Sequence, residues 1–342
     1  MRRFMMVSAV FSALVTMIGI TPAAAGPTLD AIKARGKVIC GVGNRPGWSA
    51  LDSQGKWQGL DVDTCKAVAA AALGDPEKVQ FVRTTTQTRF TVLQTGEVDV
   101  VTRNVTWTLS RDAKLGVDFV APTFYDGQGF MVPKKLGVKD IKGLDGATVC
   151  VLPGSTSEKV AADVFRKNNM KYTPVVIETQ KEINTAFFGG RCDVHIQSTS
   201  GLSSTRATVA ANPADYVILP GIYGKDPMGP MVRQGDAQWK DIVAWVVYAM
   251  IEAEENGVTS KNVDNLRANS KDANIQRLLG TKDELGADLG LDKDWAYRVI
   301  KNIGNYGEVF DRNVGKGSAL KLDRGINDLW TRGGLMYAPP FK

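Results

Sequence analysis

The sequence contains few of the residues that build metal centres and nucleophilic active sites. It has 342 residues but only one histidine, His195, and four cysteines, no two of which form a C-x-x-C pair. A histidine-rich metal site is therefore excluded, and histidine-based catalysis could use only this one residue. The motifs of P-loops, zinc proteases and serine hydrolases are also absent. We therefore expect no metal, no cofactor and no enzymatic activity.

Long basic runs are absent as well. Lys and Arg total 42 against 36 Asp and Glu, which gives a net charge of +6, but the surplus is spread along the chain. This distribution argues against nucleic-acid binding. Hydrophobic residues make up 44% and charged residues 23% of the sequence, as is typical of a globular protein with hydrophobic cores. The length favours two domains or lobes.

The N-terminus carries the features of a secretory signal peptide. Arg2 and Arg3 precede an apolar stretch, and Ala23 and Ala25 occupy the −3 and −1 positions of a cleavage site. The apolar stretch is near the short end of membrane-spanning length, so an uncleaved membrane anchor is the less favoured alternative. We expect residues 1–25 to be removed by cleavage after Ala25 and the mature protein to reside in the periplasm.

The four cysteines are divided between two parts of the chain. Cys40 and Cys65 lie in the first part, and Cys150 and Cys192 lie in the middle. Four cysteines allow three pairings, and an oxidising compartment favours disulfides over metal binding. Local pairing of Cys40 with Cys65 and of Cys150 with Cys192 is favoured, because it would cross-link each part internally and leave the two free to move. Four reduced, buried thiols are the alternative.

Two segments of the chain follow the same plan. Residues 36–40 (GKVIC) resemble residues 146–150 (GATVC), and each short apolar run after glycine is typical of a buried strand. Further along, residues 96–100 (GEVDV) match residues 190–194 (GRCDV), with helix-like stretches in between. This order of strand, helix and strand occurs twice, and it predicts two α/β lobes with mostly parallel sheets.

Helices are expected between and after these strands. Asp61 or Asp63 can cap a helix over 64–73, and Ser155 or Thr156 can cap a second one. The last third of the chain is helical in pattern and has no strand pair of its own. We expect this tail to pack back on the first lobe. A chain that visits the second lobe and returns would place a ligand between the lobes, where closure can trap it.

Two segments are candidates for binding an anion. Thr102–Asp112 follows a strand that ends near Val101, and open α/β sheets bind ligands beyond the carboxyl ends of their strands. Within it, Arg111 offers a planar fork of donors that matches a carboxylate. Leu152–Glu158 places glycine and hydroxyl groups at a helix start, which also suits a carboxylate. A surface ion pair and an ordinary helix cap are the respective alternatives.

The sequence resembles the periplasmic solute-binding proteins of polar and general L-amino acid ABC transporters, the family 3 extracellular solute-binding proteins. The resemblance covers essentially the whole mature chain. It rests on the phrases GLDVD (59–63), GEVDV (96–100), RNVTWTLSRD (103–112), YDGQGF (125–130), LDGATVC (144–150), GRCDV (190–194), NYGE (305–308) and GGLMYAPP (333–340).

The resemblance implies the bilobed periplasmic binding protein fold. Two α/β lobes are joined by two crossing strands, here near 126–130 and 223–227, and the helical C-terminal tail is an addition to lobe one. The chain then divides into three parts after the signal peptide, with 26–126 and 226–342 forming a discontinuous lobe one and 127–225 forming lobe two.

The resemblance also implies a function and a set of ligand contacts. Such proteins capture a small solute between two closing lobes and deliver it to the inner-membrane permease of an ABC importer, and we expect a monomer. The arginine that matches Arg111 clamps the ligand α-carboxylate, and the residue that matches Thr156 helps from the other lobe. Asn104 and Thr106 match residues that meet the ammonium or carboxylate. Trp48 is the nearest match to an aromatic that packs on the ligand side chain.

One position departs from the family pattern. The phrase that begins at residue 190 usually leads to an aspartate that pairs with the ligand ammonium, and Ser198 stands at that place. Two ligand hypotheses follow. The first keeps an L-amino acid, held by neutral hydrogen bonds from Gln197, Ser198, Asn104 and Thr106. The second is a drift towards a carboxylate without the ammonium, or towards an acidic compound bound by Arg45 or Arg103. We favour the first; a sensor subunit is a further alternative.

Overall fold

The structure is a computed structural model that describes residues 26–342. The expected signal peptide, residues 1–25, lies outside the described residues. The described chain folds into two α/β lobes, each built on one central sheet. We call the part built on the first sheet lobe one and the part built on the second sheet lobe two. No helix in this part of the chain has the length and apolar character needed to cross a bilayer.

Lobe one begins with alternating helices and strands. These elements are α1 Pro27–Arg35, β1 Val38–Val42, β2 Ala50–Leu51, β3 Trp57–Gln58, α2 Leu60–Leu73, β4 Val79–Arg83, α3 Thr91–Gln94, β5 Val100–Val101, α4 Leu109–Lys114 and β6 Val117–Phe119. The strand β1 lies between β4 and β5 and runs parallel to both. Its almost complete burial explains why its sequence, VICGV, is apolar throughout.

Lobe two contains the next six strands and three helices. These are β7 Phe124–Pro133, β8 Thr148–Val151, α5 Thr156–Lys167, β9 Thr173–Val176, α6 Gln180–Phe188, β10 Val194–Ser198, α7 Thr199–Thr208, β11 Tyr216–Ile218 and β12 Tyr223–Met228. The strand β8 runs parallel to both β9 and β10. The strands β7 and β12 pair antiparallel, with Asp126 opposite Asp226, and they are the two strands that connect the lobes.

The chain then returns to lobe one and ends in a helical tail. Its elements are β13 Met231–Arg233, α8 Ala237–Glu255, α9 Val263–Asn269, α10 Ala273–Leu278, α11 Leu285–Asp288, α12 Trp295–Ile303 and α13 Tyr306–Asn313. Buried residues of α2, α8, α12 and α13 form one hydrophobic core, which extends from Leu29 to Phe341. The expectation that the tail packs on lobe one is therefore confirmed.

Both sheets are mixed, so the expectation of mostly parallel sheets is wrong. In lobe one β13 runs antiparallel to β5 and β6. In lobe two β7 runs antiparallel to β10, β11 and β12. The antiparallel strands are those on which the chain crosses between the lobes or returns. The parallel groups β4-β1-β5 and β9-β8-β10 still stand beside them.

The helix α2 begins four residues earlier than the sequence indicates. Its N-cap is Gly59, whose φ of 129° is a backbone conformation that side-chain-bearing residues rarely adopt. Asp61 and Asp63 lie inside the first turn, where their charges favour the helix dipole, instead of capping it. Gly74 ends the helix in the left-handed conformation, as the sequence predicts.

Each disulfide lies within one lobe. Cys40 of β1 is bonded to Cys65 of α2, with a Cα–Cα distance of 6.2 Å. Cys150 of β8 is bonded to Cys192, with a Cα–Cα distance of 5.6 Å. The favoured local pairing is therefore confirmed, and neither bond connects the two lobes.

Candidate functional site

The cleft between the lobes is lined by the loops that follow the parallel strands. In lobe one these loops come after β1, β4 and β5, which are neighbours in the sheet. In lobe two they come after β8, β9 and β10, which are also neighbours. The carboxyl ends of both sets of strands therefore face one cavity, as the position of ligand sites in open α/β sheets predicts.

Polar residues dominate the walls of this cavity. From lobe one and the connecting strand β12 they are Asn44, Arg45, Thr86, Arg89, Arg103, Asn104, Thr106, Arg111 and Asp226. From lobe two they are Gln128, Ser155, Thr156, Ser157, Gln180, Gln197 and Ser198, with Leu152, Ile183 and Ile196 as apolar neighbours. All the ligand-binding residues predicted from the sequence are brought together here except Trp48.

Trp48 lies in the hydrophobic core of lobe one. Its side chain is 1% exposed and packs edge to face against Phe124, with 5.6 Å between the ring centroids. The reason is the turn after β1, which folds back on the start of α2 through a hydrogen bond from Asp61 N to Trp48 O of 2.9 Å. Trp48 therefore does not line the cavity, where the sequence analysis expected it to pack on the ligand side chain. Instead, the guanidinium of Arg45 lies 5.7 Å from the centre of the indole.

Arg111 is fixed at the floor of the cavity. Its helix α4 is capped by Thr108, whose hydroxyl accepts from the Arg111 backbone N–H. The guanidinium donates from Nη1 to the carbonyl of Thr106 at 2.9 Å and from Nη2 to that of Gly154, in lobe two, at 3.3 Å. Arg111 is 8% exposed, and burial lowers its pKa, which the charge of Asp226 opposes.

Direct contacts join the lobes across the cleft. The hydroxyls of Thr106 and Thr156 are 3.1 Å apart. Arg45 donates from Nη1 to the hydroxyl of Ser198 at 3.2 Å. Within lobe one, in the amide orientation that satisfies its hydrogen bonds, Asn104 accepts from Nη1 of Arg45 at 2.8 Å and from Nη2 at 3.0 Å, which fixes the arginine that reaches lobe two. Polar side chains from both lobes can therefore reach a small solute at the same time.

Asp226 contributes a negative charge that the sequence analysis did not assign to the site. It is 3% exposed, and its Oδ2 accepts from the Gln128 amide at 2.6 Å. Its Oδ1 has no hydrogen-bond partner among residues 26–342. Burial raises the pKa of this carboxyl to about 6, although the nearby Thr106 hydroxyl, Arg45 and Arg111 oppose the shift. It is the one carboxylate among the described residues that line the cavity.

Arg89 is a second residue that the sequence analysis missed. It follows β4 and is 5% exposed, and burial lowers its pKa well below the usual value, as do the charges of Arg103 and Arg111. Burial also lowers the pKa of Arg103 to about 10. None of the ion pairs in the described part of the chain includes Arg45, Arg89, Arg103 or Arg111. The cavity wall therefore carries four arginines and one carboxylate, Asp226.

Comparison with protein families shows the class of protein to which this chain belongs. The model of the bacterial extracellular solute-binding proteins, family 3, matches residues 38–262. The chain belongs to this family. This solute-binding protein is 52% identical over 340 residues to the general L-amino acid-binding periplasmic protein AapJ of Rhizobium johnstonii, an alignment that covers 98% of this chain and 99% of the relative.

Two further comparisons cover most of the chain. The glutamate/glutamine/aspartate/asparagine-binding protein BztA of Rhodobacter capsulatus is 52% identical over 336 residues, covering 98% of this chain and 99% of the relative. A solved periplasmic binding protein from Brucella ovis, with glutathione bound, superposes with a TM-score of 0.89 and 48% identity. That superposition covers 92% of this chain and 99% of the Brucella chain. The bilobed fold expected from the sequence is thereby confirmed.

Acid–base candidates in this solute-binding protein have structural roles. Asp126 accepts hydrogen bonds from Thr199 and Ser200 at the start of α7. His195 is fully buried in β10, with its Nε2 3.2 Å from the side-chain nitrogen of Gln180. Burial lowers the pKa of His195 to about 3, so the ring is neutral. The members of this family are binding proteins, and this one is not an enzyme.

The two missed site residues had different signals in the sequence. Asp226 lies on the second crossing strand, which the sequence analysis located at 223–227, so its approach to the cleft follows from that strand. Arg89 lies in a loop of four threonines and one glutamine after β4, where the polar sequence alone does not distinguish a cleft residue from a surface one. Its position follows only from the order of the strands, which places β4 next to β1.

Proposed function

We propose that this solute-binding protein captures an L-amino acid between its lobes and delivers it to the membrane permease of an ABC importer. The observation that carries the proposal is the pair of buried, oppositely charged groups that face one cavity, Arg111 and Asp226. An α-amino acid presents the complementary pair, a carboxylate and an ammonium on one carbon. The relatives named above as amino-acid-binding proteins support the same class of solute.

Arg111 binds the α-carboxylate in this proposal. Its guanidinium donates to the carbonyl of Thr106 in its own lobe, which can hold its direction before the solute arrives, and its contact with Gly154 of lobe two belongs to the closed arrangement. A planar guanidinium pairs with a carboxylate through two parallel hydrogen bonds. Thr156 stands at the start of α5, where backbone N–H groups lack helical partners and favour an anion.

Asp226 binds the α-ammonium. Its Oδ1 lacks a hydrogen-bond partner among residues 26–342, and its other oxygen is fixed by Gln128, whose own amide oxygen accepts from the hydroxyl of Ser157 at 2.6 Å. An ammonium donates three hydrogen bonds, and Thr106 lies beside the carboxylate to accept another. With this residue the site has an acidic partner for the ammonium although Ser198 replaces the expected aspartate. A change of specificity to a ligand without an ammonium is therefore not needed to account for Ser198.

Closure and delivery follow from the contacts across the cleft. A solute that touches Arg111 and Asp226 on one side and the start of α5 on the other would stabilise the closed arrangement of the lobes. We propose that the closed form is the one that the permease recognises. A monomer is sufficient for this function, because a single chain supplies both lobes and all the proposed contacts.

We propose that the protein acts in the periplasm after cleavage behind Ala25. The relatives named as periplasmic proteins support this location. The backbone N–H of Gly26 donates to the side chain of Gln238, and an α-ammonium created there would keep that acceptor. Intact-mass measurement of the exported protein tests the cleavage site, and a mature chain that starts at any other residue contradicts it.

The experiment that tests the proposed function is calorimetric titration of the mature protein with L-amino acids. Arg111→Ala should lower the affinity by about a hundredfold or more, because it removes the partner of a buried carboxylate. Lys114→Ala, on the exposed side of the same helix α4, is the matched control and should bind normally.

Two results would contradict the proposal. Unchanged affinity of Arg111→Ala would remove this residue from the site. Equal affinity for an amino acid and for the organic acid that lacks its ammonium would remove Asp226 from its role. Circular dichroism of both variants checks that the fold is retained.

A further inference from the structure

The tail of lobe one holds the first connecting strand, β7, at two points. The hydroxyl of Tyr306, in α13, donates to the carbonyl of Thr123 at 2.9 Å. Two residues further along, the side-chain amide of Asn327 accepts from the N–H of Tyr125 at 2.6 Å and donates to its carbonyl at 2.9 Å. Both contacts come from residues beyond 262, where the match to the family model ends. Asn327 is buried, and both polar atoms of its amide are used on this one residue of β7.

Tyr125 depends on Asn327 because the second connecting strand cannot serve it. The residue of β12 opposite Tyr125 is Pro227, which has no N–H to donate. The carbonyl of Pro227 accepts from the N–H of Trp107, in the lobe-one loop after β5, at 2.8 Å. Lobe one therefore holds both connecting strands at the same level, one through the Asn327 amide and the other through the loop after β5.

Arg324 fixes Asn327 to lobe one. Its guanidinium donates two hydrogen bonds of 3.1 Å to the carboxylate of Glu254 in α8, and its Nε donates to the carbonyl of Asn327 at 3.0 Å. Glu254 also accepts from Arg332. A bidentate pair between a guanidinium and a carboxylate holds direction as well as distance. Because α8 belongs to the core of lobe one, Asn327 moves with that lobe.

The next residue of β7 is held by the other lobe. Asp126 accepts from the hydroxyl of Thr199 through one carboxylate oxygen, and from the hydroxyl and backbone N–H of Ser200 through the other. Thr199 and Ser200 are the first residues of α7, and the tail segment 322–327 faces them across a gap. Neighbouring residues of one strand are therefore fixed to opposite lobes. Rotation between the lobes has to take place at the link between these two residues.

We infer that Asn327 is a positioning residue that confines the bend of β7 to the link between Tyr125 and Asp126, so that the tail limits how far the empty cleft opens. The inference rests on the proposed function only in its use of closure to capture a solute. A narrow range of open arrangements makes closure less costly, because fewer backbone conformations are lost when the solute arrives. The tail therefore strengthens the binding of every solute that the cleft accepts, without touching any of them.

Asn327→Leu is the test variant, because leucine has nearly the same volume and can neither donate nor accept. Without the amide the bend can spread back to Thr123, so the ligand-free protein should have a larger radius of gyration in small-angle X-ray scattering. The radius with saturating L-glutamine should stay that of the unmodified protein. In calorimetric titrations, the affinities for L-glutamine and L-glutamate should both fall by about 5- to 30-fold, the factor that corresponds to ordering the backbone of one residue.

Asn305→Leu is the matched control. Asn305 is also buried, and its amide accepts from the N–H of Glu308 at 2.9 Å and donates to the carbonyl of Val258 at 2.8 Å, but both partners lie in lobe one. This variant should lower the melting temperature and leave the affinities and the ligand-free scattering unchanged. If Asn327→Leu does not fold, Asn327→Asp keeps an acceptor for the N–H of Tyr125 and should lose affinity by a smaller factor.

The possible outcomes separate this inference from the proposed function. Unchanged affinity or unchanged ligand-free scattering in a folded Asn327 variant overturns the inference, as does an equal loss of affinity in Asn305→Leu. A loss for only one of the two amino acids also overturns it, because the amide would then act through the shape of the cleft. If neither amino acid binds the unmodified protein, the proposed function has failed, and the ligand-free scattering still tests the position of the bend by itself.

Discussion

Single side chains determine the charge of the cleft. Four arginines and one aspartate line it in the described chain, and no ion pair within that part of the protein neutralises the arginines. Asp226 therefore has a particular importance, because it is the only acidic side chain that lines the cavity within residues 26–342. Its burial makes it sensitive to pH in a range where most surface carboxylates stay ionised.

We predict that affinity for glutamine falls as the pH is lowered below about 6. In the free protein the pKa of Asp226 is raised to about 6, whereas a bound ammonium favours the ionised carboxylate and lowers this pKa. Well above pH 6 the Asp226 carboxylate is ionised in both states, so its titration no longer changes the affinity. Below it the free protein must release a proton to bind, so affinity drops by up to about tenfold per pH unit. Calorimetry between about pH 7.5 and 5 measures this.

The groups around Asp226 do not reverse the sign of this effect. Arg45 and Arg111 keep their charge, and Asp126 is tied to the start of α7. Asp61 has a pKa raised to about 7, and its protonation makes the cleft more positive, which does not weaken the binding of a carboxylate. Asp226→Asn should bind glutamine weakly and without the drop below pH 6. A variant with the same pH profile as the unmodified protein would contradict the assignment.

The sequence predicts site residues that follow a strand end in a family phrase. It does not predict residues whose position depends on strand order or on the contacts of a turn. Arg111, Thr106 and Asn104 follow from a strand end and a family phrase. Arg89 does not, because only the strand order brings its loop to the cleft. Trp48 was expected in the cleft and lies in the core, because the direction of a side chain in a turn depends on the tertiary contacts of that turn.

At the scale of elements, the start of α2 connects the core to the cleft. Gly59 stands beside the backbone of Trp48, where a Cβ atom would lie 2.2 Å from the Trp48 carbonyl oxygen. Leu60 N donates to Gly47 O at 3.0 Å, and Asp61 N donates to Trp48 O at 2.9 Å. These bonds fix the turn that carries Arg45 into the cleft.

We predict that Gly59→Ala destabilises the protein by about 2 to 4 kcal/mol, because the backbone must shift and the φ of 129° is strained for alanine. Gly55→Ala is the matched control. Gly55 also has a positive φ, of 76°, but nothing lies within 4 Å of an added Cβ, so it should cost only about 1 to 2 kcal/mol. Urea unfolding measures both, and equal destabilisation of the two variants would contradict the close contact.

Helices are easier to predict from this sequence than sheets. The last third of the chain, which the sequence predicts to be helical, contains the long helix α8, Ala237–Glu255, because apolar spacing and flanking residues are local signals. The mixed character of the sheets is not local. It arises where β7, β12 and β13 arrive from other parts of the chain, and no short pattern within these strands records which neighbour they meet.

At the scale of the whole molecule, charge opposes closure and the solute favours it. The contacts across the cleft are hydrogen bonds such as Thr106–Thr156, worth about 0.5 to 1.5 kcal/mol, and the charged Arg45–Ser198, worth about 1.5 to 3 kcal/mol. Closure also removes water from the four arginines that lobe one contributes to the cleft, which costs free energy while they have no anion. A bound solute adds contacts to both lobes and supplies negative charge. Closure should therefore depend on the solute.

We predict that a saturating amino acid reduces the radius of gyration measured by small-angle X-ray scattering and raises the melting temperature by several degrees. At a concentration about 100 times the dissociation constant the stabilisation is about 2.7 kcal/mol. Arg111→Ala at the same solute concentration should show neither change. Identical scattering with and without solute, while binding is seen by calorimetry, would contradict the closing mechanism.

The boundaries proposed for the lobes, at residues 126 and 226, stay a prediction. They fall opposite each other on the two connecting strands, since Asp126 and Asp226 are paired in register. Rotation between the lobes would bend β7 and β12 at this pair. The disulfides do not hinder such a rotation, because each lies within one lobe.

The largest core contains Leu29 from α1 and Phe341, the residue before the last. Lobe two, by contrast, takes its sheet from residues 124–228 alone. During synthesis, lobe two can therefore complete its sheet while the helical tail has yet to appear. Lobe one can complete its core only after Phe341 has been synthesised. A chain truncated before α12 would have a finished lobe two and an unfinished lobe one, with exposed apolar residues that chaperones and proteases bind.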